Sequence, residues 1–409
     1  MSRSLLSAGA LAVFGALAGC RGSTPPPPIA RPEPPRYTPS AGSGNAYDAY
    51  LLAAQEAVKK APERTLTATR LWPSDYEALE QSIGTEVNQL VRAANTPFTS
   101  QAEPSLPGPQ PAADGIRLLV ETAAHRMENH AKDRDWEKAL PIAQALTRFG
   151  ARWSQTGVAG ALDGRNAITR SRRALSPNLA SLGEGQLRRL AGSVRETLEE
   201  TPSFDRAYEF EREQGRVRLQ DVFARASAGE WDGLRRELGV RGGQTLSALQ
   251  RLDATGRSAW YQELERELER HVSEAKASAA TPAGSPGAEK PWYEVSKDRP
   301  WSELGQNYLM PARQLPDLER AYLAKTRLLA LTALIIADAK RDGRAPANLD
   351  KFPASLTTDP YSLKPFLYRA AGREFRLYSV GENGLDDGGD SDRDGMAPDV
   401  TLESQPVGG

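Results

Sequence analysis

The sequence has one cysteine and three histidines in 409 residues, and its formal net charge is −1. A single cysteine allows no disulfide within one chain, so the fold must depend on an apolar core. The near balance of charge gives no net basic domain, so no nucleic-acid partner is predicted. The histidines lack the spacing of a metal pair on one helix face, which indicates structural roles for His125, His130 and His271.

The usual catalytic motifs are also missing. The sequence has no HExxH, no Gly-x-Ser-x-Gly and no phosphate-binding Gly-Lys-Ser/Thr loop. Two other features of the sequence, a cluster of arginines and the tryptophans, can each be interpreted in two ways. One basic cluster could meet an acidic partner or lipid headgroups, although nearby glutamates favour a solvated surface; it comprises Arg165, Arg170, Arg172 and Arg173. The seven tryptophans could line a groove, but their scatter favours helix packing.

The N-terminus contains the only long apolar run before the first helices. Arg3 precedes an apolar stretch from Leu5 to Leu17. A bilayer core of about 30 Å needs about 20 apolar residues, so this run predicts a cleaved export signal over residues 1–19. Leu17-Ala18-Gly19-Cys20 resembles the lipobox of bacterial lipoproteins. The resemblance implies that Cys20 is acylated and holds the protein to a membrane on the extracytoplasmic side of the cell envelope; the alternative is an ordinary secretory signal.

Residues 20–44 are rich in proline and have no apolar periodicity. Proline lacks an amide donor and favours the extended polyproline II conformation, so this segment is predicted to be a tether. Residues 403–409 are predicted to form a disordered tail.

Residues 45–276 show apolar positions at helical spacing and predict a helical domain. One helical pair breaks at Asp133-Arg-Asp135, and Ser181-Leu-Gly-Glu184 has the spacing of a capping box. Tryptophan-bearing turns suggest a helical repeat, but their spacing does not fit a regular period, which favours an irregular bundle. The small residues of 277–291 predict a flexible linker.

Residues 292–402 have a different pattern and predict a separate C-terminal module. A long helix is predicted from about Pro316 to Arg341, ended by Gly343. Phe366–Tyr368 and Glu374–Ser379 alternate apolar and polar residues around a turn at 370–372, which predicts a β-hairpin. The fold class is therefore mainly α: an irregular helical bundle, a long helix and a small β-hairpin or meander with an acidic loop.

The segment from Ala321 to Leu402 resembles the soluble domain of the major pseudopilin of type II secretion systems. The matching pieces run in order: the long helix, then "RDGRAPANL", "DPYSLKPFLYR", "FRLYSVGENG", "GG" and "PDV". They correspond to the family's Asn-Gly-Arg-Tyr-Pro segment, its Asp-Pro-Trp-Gly-Asn-Pro-Tyr segment and its calcium loop. The chain has a lipobox and a proline-rich segment in place of the family's methylated N-terminal helix, so the resemblance does not imply a pilus subunit. The whole layout is similar to exported bacterial proteins of unknown activity.

The resemblance implies a calcium site in the C-terminal loop. By position, its family ligands are the carbonyl of Val380, the side chain of Asn383 and that of Asp399, with Asn383 standing where the family has a carboxylate. Further acids crowd the same loop: Asp386, Asp387, Asp390, Asp392 and Asp394.

The crowding itself favours a cation. Two carboxylates about 4 Å apart repel by roughly 4 kcal/mol near a protein surface. Asp390-Ser-Asp392-Arg-Asp394-Gly395 also resembles the start of an EF-hand loop, but the twelfth position is Thr401, where an EF-hand needs glutamate. Oxygen ligands without nearby cysteine or histidine favour calcium. The alternative is a solvated acidic loop without a metal.

Two function classes follow. The first is a non-enzymatic envelope lipoprotein whose helical body binds an envelope protein of unknown identity and whose C-terminal module is stabilised by calcium. The second is an envelope hydrolase whose catalytic set is assembled from distant positions. A pocket with convergent carboxylates would favour the second class, and a shallow helical groove the first.

Overall fold

The computed structural model describes residues 29–32, 37–68, 70–100, 111–238, 243–283, 304, 311–389 and 399–402. The described chain is mainly helical, with one small antiparallel sheet near its C-terminus, as predicted. No helix within these ranges is both long enough and apolar enough to cross a membrane.

The first helices form a bundle. They are α1 (Ala46–Lys60), α2 (Glu63–Thr67), α3 (Pro73–Ala93), α4 (Pro111–Lys132), α5 (Trp136–Trp153), α6 (Gly157–Leu175) and α7 (Glu184–Glu200). The α4–α5 pair was predicted from its break, where Arg134 has a φ of 57°. An aromatic cluster fills this part of the core: Trp153 stacks on Phe149 and on Tyr47 at 5.6 Å each.

The start of α7 differs in detail from the sequence prediction. Its cap is Gly183, whose N–H donates to Oε1 of Gln186 at 3.0 Å. Ser181 does not cap the helix, because its hydroxyl donates to the Asn178 carbonyl at 2.7 Å in the preceding 3₁₀ segment. The helix ends at Thr201 before Pro202, as proline cannot continue the ladder.

The second half of the body contains α8 (Asp205–Ala228), α9 (Trp231–Leu238), α10 (Gly243–Arg251) and α11 (Ala254–Ala279). Helix α11 packs along α8. Helix α11 includes residues 277–279, so the first three residues of the predicted linker belong to a helix. The rest of that linker, residues 284–291, lies outside the described ranges.

The long helix α12 (Leu315–Asp342) has almost the bounds that the sequence predicts, and Gly343 ends it with a φ of 73°. It is buried on nearly all sides rather than along one stripe. It packs on α6, α7 and α11 on one side and on the C-terminal sheet and α13 (Ala354–Thr357) on the other. Its apolar residues join one core that includes residues of the bundle and of the sheet.

The sheet has the order β1 (Leu367–Ala371), β2 (Glu374–Ser379) and β3 (Val400–Thr401). The hairpin was predicted, and its register pairs Leu367 with Tyr378 and Ala371 with Glu374. Gly372 has a φ of 63° in the two-residue turn, a position that glycine adopts without a steric cost. Strand β3 pairs with β2 through Ser379 and Val400.

The described parts of the predicted tether contact the body. Arg31 pairs with Asp221 on α8 at 3.2 Å, and Ala30 accepts a hydrogen bond from Gln220 at 2.9 Å. Ile29 and Tyr37 pack against the core, and the Tyr37 hydroxyl donates to Asp48 on α1. Apolar side chains within a proline-rich sequence thus hold these residues against α1 and α8.

Candidate functional site

The acidic loop begins where β2 ends, and β3 returns the chain to the same place. Because Ser379 pairs with Val400, the preceding residue Asp399 lies beside Val380, the first residue of the loop. Two residues far apart in the loop are therefore brought together by the sheet register. This is the arrangement that the predicted calcium site requires.

Asp399 has the most unusual environment in this loop. It is 1% exposed, and Oδ2 accepts a hydrogen bond from the N–H of Gly389 at 2.6 Å. Its other oxygen, Oδ1, is buried and has no hydrogen-bond partner of normal geometry among the described residues. Burial raises the pKa of this carboxyl group above its usual value, although the N–H groups of Gly389 and Asp387 oppose the rise, and the charges of Asp387 and Asp386 add to it. A bare buried carboxylate oxygen needs a proton or a cation.

The other described candidates use their polar atoms within the loop. Asn383 donates through Nδ2 to Asp387 at 2.7 Å and accepts from the N–H of Leu385 at 3.0 Å. Asp386 accepts from the Tyr378 hydroxyl and from the N–H of Gly388, both at 2.9 Å. These bonds, the Gly388 N–H first, hold the pKa of Asp386 below its usual value.

The ligand set is thus placed only in part. Val380 is buried, and its N–H donates to Asp359. Asp390, Asp392, Asp394 and the lipidation candidate Cys20 lie outside the described residues. Within the described ranges, no group of three or more histidine, cysteine or acidic residues is arranged to hold a metal ion. Among the described carboxylates of this loop, Asp399 is the one whose unbonded oxygen, Oδ1, is buried.

Asp359 is a structural acid that the sequence reasoning did not single out. It is 1% exposed and accepts hydrogen bonds from the Ser379 hydroxyl at 2.7 Å and from the N–H groups of Tyr361 at 3.0 Å and Val380 at 3.2 Å. It ties the Asp-Pro turn to the end of β2, where the acidic loop starts. Its place in the pseudopilin-like Asp-Pro segment was the available signal.

The remaining sequence candidates are dispersed. His125 stacks on Tyr76 at 4.3 Å, and His271 is 1% exposed. The four arginines do not form one basic surface, because Arg170 pairs with Glu121 at 2.5 Å and Arg172 is buried with Nη1 on the Thr401 carbonyl at 3.3 Å. That last bond links α6 to β3.

A cavity of about 440 Å³ lies beside the α7–α8 turn and contains two carboxylates, Glu200 and Asp205. Glu200 pairs with Arg152 at 2.9 Å, and Asp205 pairs with Lys276 at 2.6 Å. The Lys276 hydrogen bond lowers the pKa of Asp205. Both acids therefore form ion pairs. A hydrolase site would instead be favoured by converging acids that form no ion pair.

Comparison with family models, curated proteins and solved structures finds no match to this chain.

Proposed function

We propose that this chain is a non-enzymatic lipoprotein of the bacterial cell envelope, anchored through acylated Cys20, whose C-terminal module binds one calcium ion. The helical body would serve an envelope protein partner, and the ion would stabilise the module rather than take part in chemistry. The single observation that supports the calcium site most directly is the buried Oδ1 of Asp399, which accepts no hydrogen bond of normal geometry from the described residues. The N-terminal part rests on the lipobox-like sequence.

A cation explains the Asp399 environment better than a proton does. Asp386 and Asp387 lie close enough to raise the pKa of Asp399, so the loop concentrates negative charge around a buried oxygen. A hard divalent cation bound by oxygen ligands would offset this repulsion. We propose Asp399 and the carbonyl of Val380 as ligands. Further ligands would come from Asn383, Asp386, Asp387, Asp390, Asp392 and Asp394.

The hydrogen bonds of the loop predict an order of importance among these ligands. Asn383 would have to release the Leu385 N–H to offer its oxygen, whereas Oδ1 of Asp399 has no such bond to a described residue. Asp399→Asn should therefore reduce calcium affinity most, and Asn383→Ala should reduce it less. If the Asp390–Asp394 run governs binding instead, Asp392→Asn will have the larger effect.

The test is calorimetry and thermal unfolding of the full chain with calcium and with a chelator. We expect an affinity in the range of roughly 10⁻⁴ to 10⁻³ M that is typical of extracellular modules. Saturating calcium at 100 times the dissociation constant stabilises the folded state by about 2.7 kcal/mol. Asp232→Asn is the matched control, because that side chain is 94% exposed and far from the loop in sequence. Absence of binding heat and of a thermal shift would exclude the calcium site.

The anchor has a separate test. Mass spectrometry of the mature protein from membranes should find residues 1–19 removed and Cys20 acylated. More than one acyl chain is expected, because one chain alone gives only marginal membrane binding. Cys20→Ser should release the protein from the membrane fraction. An intact N-terminus or an unmodified Cys20 would contradict the lipoprotein proposal and leave the calcium proposal untouched.

A further inference from the structure

A second cavity, of about 370 Å³, lies where the end of α11, the middle of α12 and the start of α13 meet. Its volume falls within the range of small-molecule sites. Its wall is partly apolar, with Leu323, Pro360 and Leu363, and partly polar, with Arg320, Arg327, Ser355, Thr358 and Glu319. It is separate from the acidic loop of the calcium proposal.

Arg327 is the unusual member of this wall. Its Nη1 donates to the Thr358 carbonyl at 2.7 Å, and its Nε is buried with no hydrogen-bond partner among the residues that the structure describes. Within the described part of the chain, no carboxylate forms an ion pair with it. Burial lowers the pKa of this guanidinium, and the opposing influences of Tyr322 and Asp359 are smaller. Arg327 is thus a half-buried cation that no carboxylate contacts directly within the described ranges, which is costly.

The nearby acids are committed elsewhere. Asp359 gives its two oxygens to the hydroxyl and N–H donors of Ser379, Tyr361 and Val380. Glu319 accepts from the N–H of Phe204 at 3.0 Å and from the Tyr208 hydroxyl at 3.2 Å. Neither carboxylate neutralises Arg327 by direct contact.

Arg320 adds positive charge to the same wall. Its Nη2 donates to the carbonyls of Ser278 and Thr281 at the end of α11, and its Nη1 contacts the exposed Asp317 at 3.2 Å. In the described part of the chain, its Nε has no hydrogen-bond partner. Arg320 is 7% exposed, so its charge acts in a poorly solvated environment.

We propose that this cavity binds an oxyanion, a carboxylate or a phosphate group, with Arg327 as its main ligand and the Ser355 hydroxyl as a second donor. A guanidinium matches both oxyanions because its N–H groups form a planar fork. Ser355 is exposed at the cavity wall. The apolar side chains of Leu323 and Leu363 would contact the carbon part of a larger ligand.

Leu363 supports this assignment independently. It is 46% exposed and has a φ of 57°, a left-handed conformation that is strained for a non-glycine residue. Such strain concentrates at ligand sites. The Asp359 carbonyl and the Lys364 carbonyl hold the strained turn through hydrogen bonds of 2.8 Å and 2.7 Å to the N–H groups of Leu363 and Asp359.

The test is calorimetric titration of the full chain with inorganic phosphate and, separately, with acetate, at constant ionic strength in chloride. We expect binding of at least one anion, and at least a tenfold loss of affinity in Arg327→Gln, with partial retention in Arg327→Lys. Arg344→Gln is the matched control, since Arg344 is exposed and outside the cavity wall. Preference for phosphate would indicate a phosphorylated ligand, and preference for acetate a carboxylate.

A second variant keeps the proposal testable if Arg327→Gln fails to fold. Ser355→Glu places a carboxylate at the cavity wall, where it would pair with Arg327. This variant should abolish anion binding and raise the melting temperature. The proposal is overturned if neither anion binds the wild-type chain, if Arg327→Gln folds and binds with wild-type affinity, or if Ser355→Glu leaves binding unchanged.

Discussion

Arg188 on α7 donates to Oδ1 of Asp338 on α12 at 2.8 Å, and this ion pair joins the helical bundle to the long helix. Asp338 is 4% exposed and also accepts from Lys351, while Arg341 lies at 3.5 Å. Burial opposes the charged carboxylate, but the hydrogen bonds from Lys351 and Arg188 outweigh it and hold the pKa of Asp338 below its usual value. One acid therefore connects three parts of the chain.

We predict that Asp338→Asn lowers the free energy of unfolding by about 1–3 kcal/mol at pH 7, because Lys351 and Arg188 lose their charge-assisted bonds to a buried carboxylate. Because the pKa of Asp338 is lower in the folded than in the unfolded chain, the ionised group stabilises the fold above the unfolded pKa, near 3.9. This stabilisation is lost as pH falls through the folded pKa. The difference in the free energy of unfolding between the wild type and Asp338→Asn should therefore shrink below about pH 4. Urea unfolding measures it, and the exposed Asp342→Asn is the control. An equal loss in both variants would contradict the prediction.

His271 predicts a second pH dependence. Its Nδ1 lies 2.7 Å from Arg313 and its Nε2 lies 3.3 Å from Arg270, with Glu267 and Glu274 at 3.7 Å and 3.8 Å. Burial first, then the two arginines, lowers the pKa of His271 to about 3. The neutral ring is thus the folded form.

Because the pKa of His271 is lower in the folded than in the unfolded chain, its contribution to the free energy of unfolding is complete above the unfolded pKa, near 6.5. The contribution declines as pH falls from there towards 3. We expect the wild-type chain to lose about 1–2 kcal/mol of stability between pH 7 and pH 5 through this group. His271→Gln should remove that part of the slope, as measured by unfolding at each pH. His130→Gln, at a half-buried position, controls for the loss of a histidine. If the free energy of unfolding depends on pH equally in the wild type and in His271→Gln, His271 does not cause the loss of stability.

The contact between α5 and α6 depends on two glycines. A Cβ on Gly164 would lie 2.2 Å from the Gly150 carbonyl oxygen, which is backbone and cannot move aside. We predict that Gly164→Ala destabilises the protein by about 1–3 kcal/mol or more through overpacking. Gly192→Ala on α7 is the matched control, because a Cβ there meets nothing within 4 Å, and it should stabilise the helix by about 0.5–1 kcal/mol. Thermal unfolding of both variants decides between these opposite signs.

Periodicity predicts the long helix well because its signals are local. Apolar spacing and the stop at Gly343 gave its bounds, and the hairpin followed from alternation around a turn. The burial of α12 on nearly all sides was not predicted, because it depends on helices and strands that are distant in sequence. The cap of α7 was placed wrongly for a related reason: Ser181 is used by the preceding 3₁₀ segment.

The site was harder to predict than the fold. Resemblance and charge pointed to the acidic loop, but they could not show that Asn383 already accepts a hydrogen bond while a buried oxygen of Asp399 accepts none from the described residues. Arg327 carried a weak signal, a cation beside the apolar run from Leu328 to Ala337. That no described carboxylate contacts it becomes visible only when α12, α13 and the Asp-Pro turn are placed together.

Asp359 provides the last prediction, because it links this turn to the start of the acidic loop. Asp359→Ala leaves the buried N–H groups of Tyr361 and Val380 and the Ser379 hydroxyl without their acceptor. Each unsatisfied buried group costs about 1–3 kcal/mol, so we expect a loss of at least 3 kcal/mol and faster amide exchange in β2. Asp359→Asn keeps one acceptor oxygen, so its stability should lie between those of the wild type and Asp359→Ala. The exposed Asp350→Ala is the control. Wild-type exchange rates in β2 of Asp359→Ala would show that other contacts hold the loop, since Val380 would then be positioned without its acceptor.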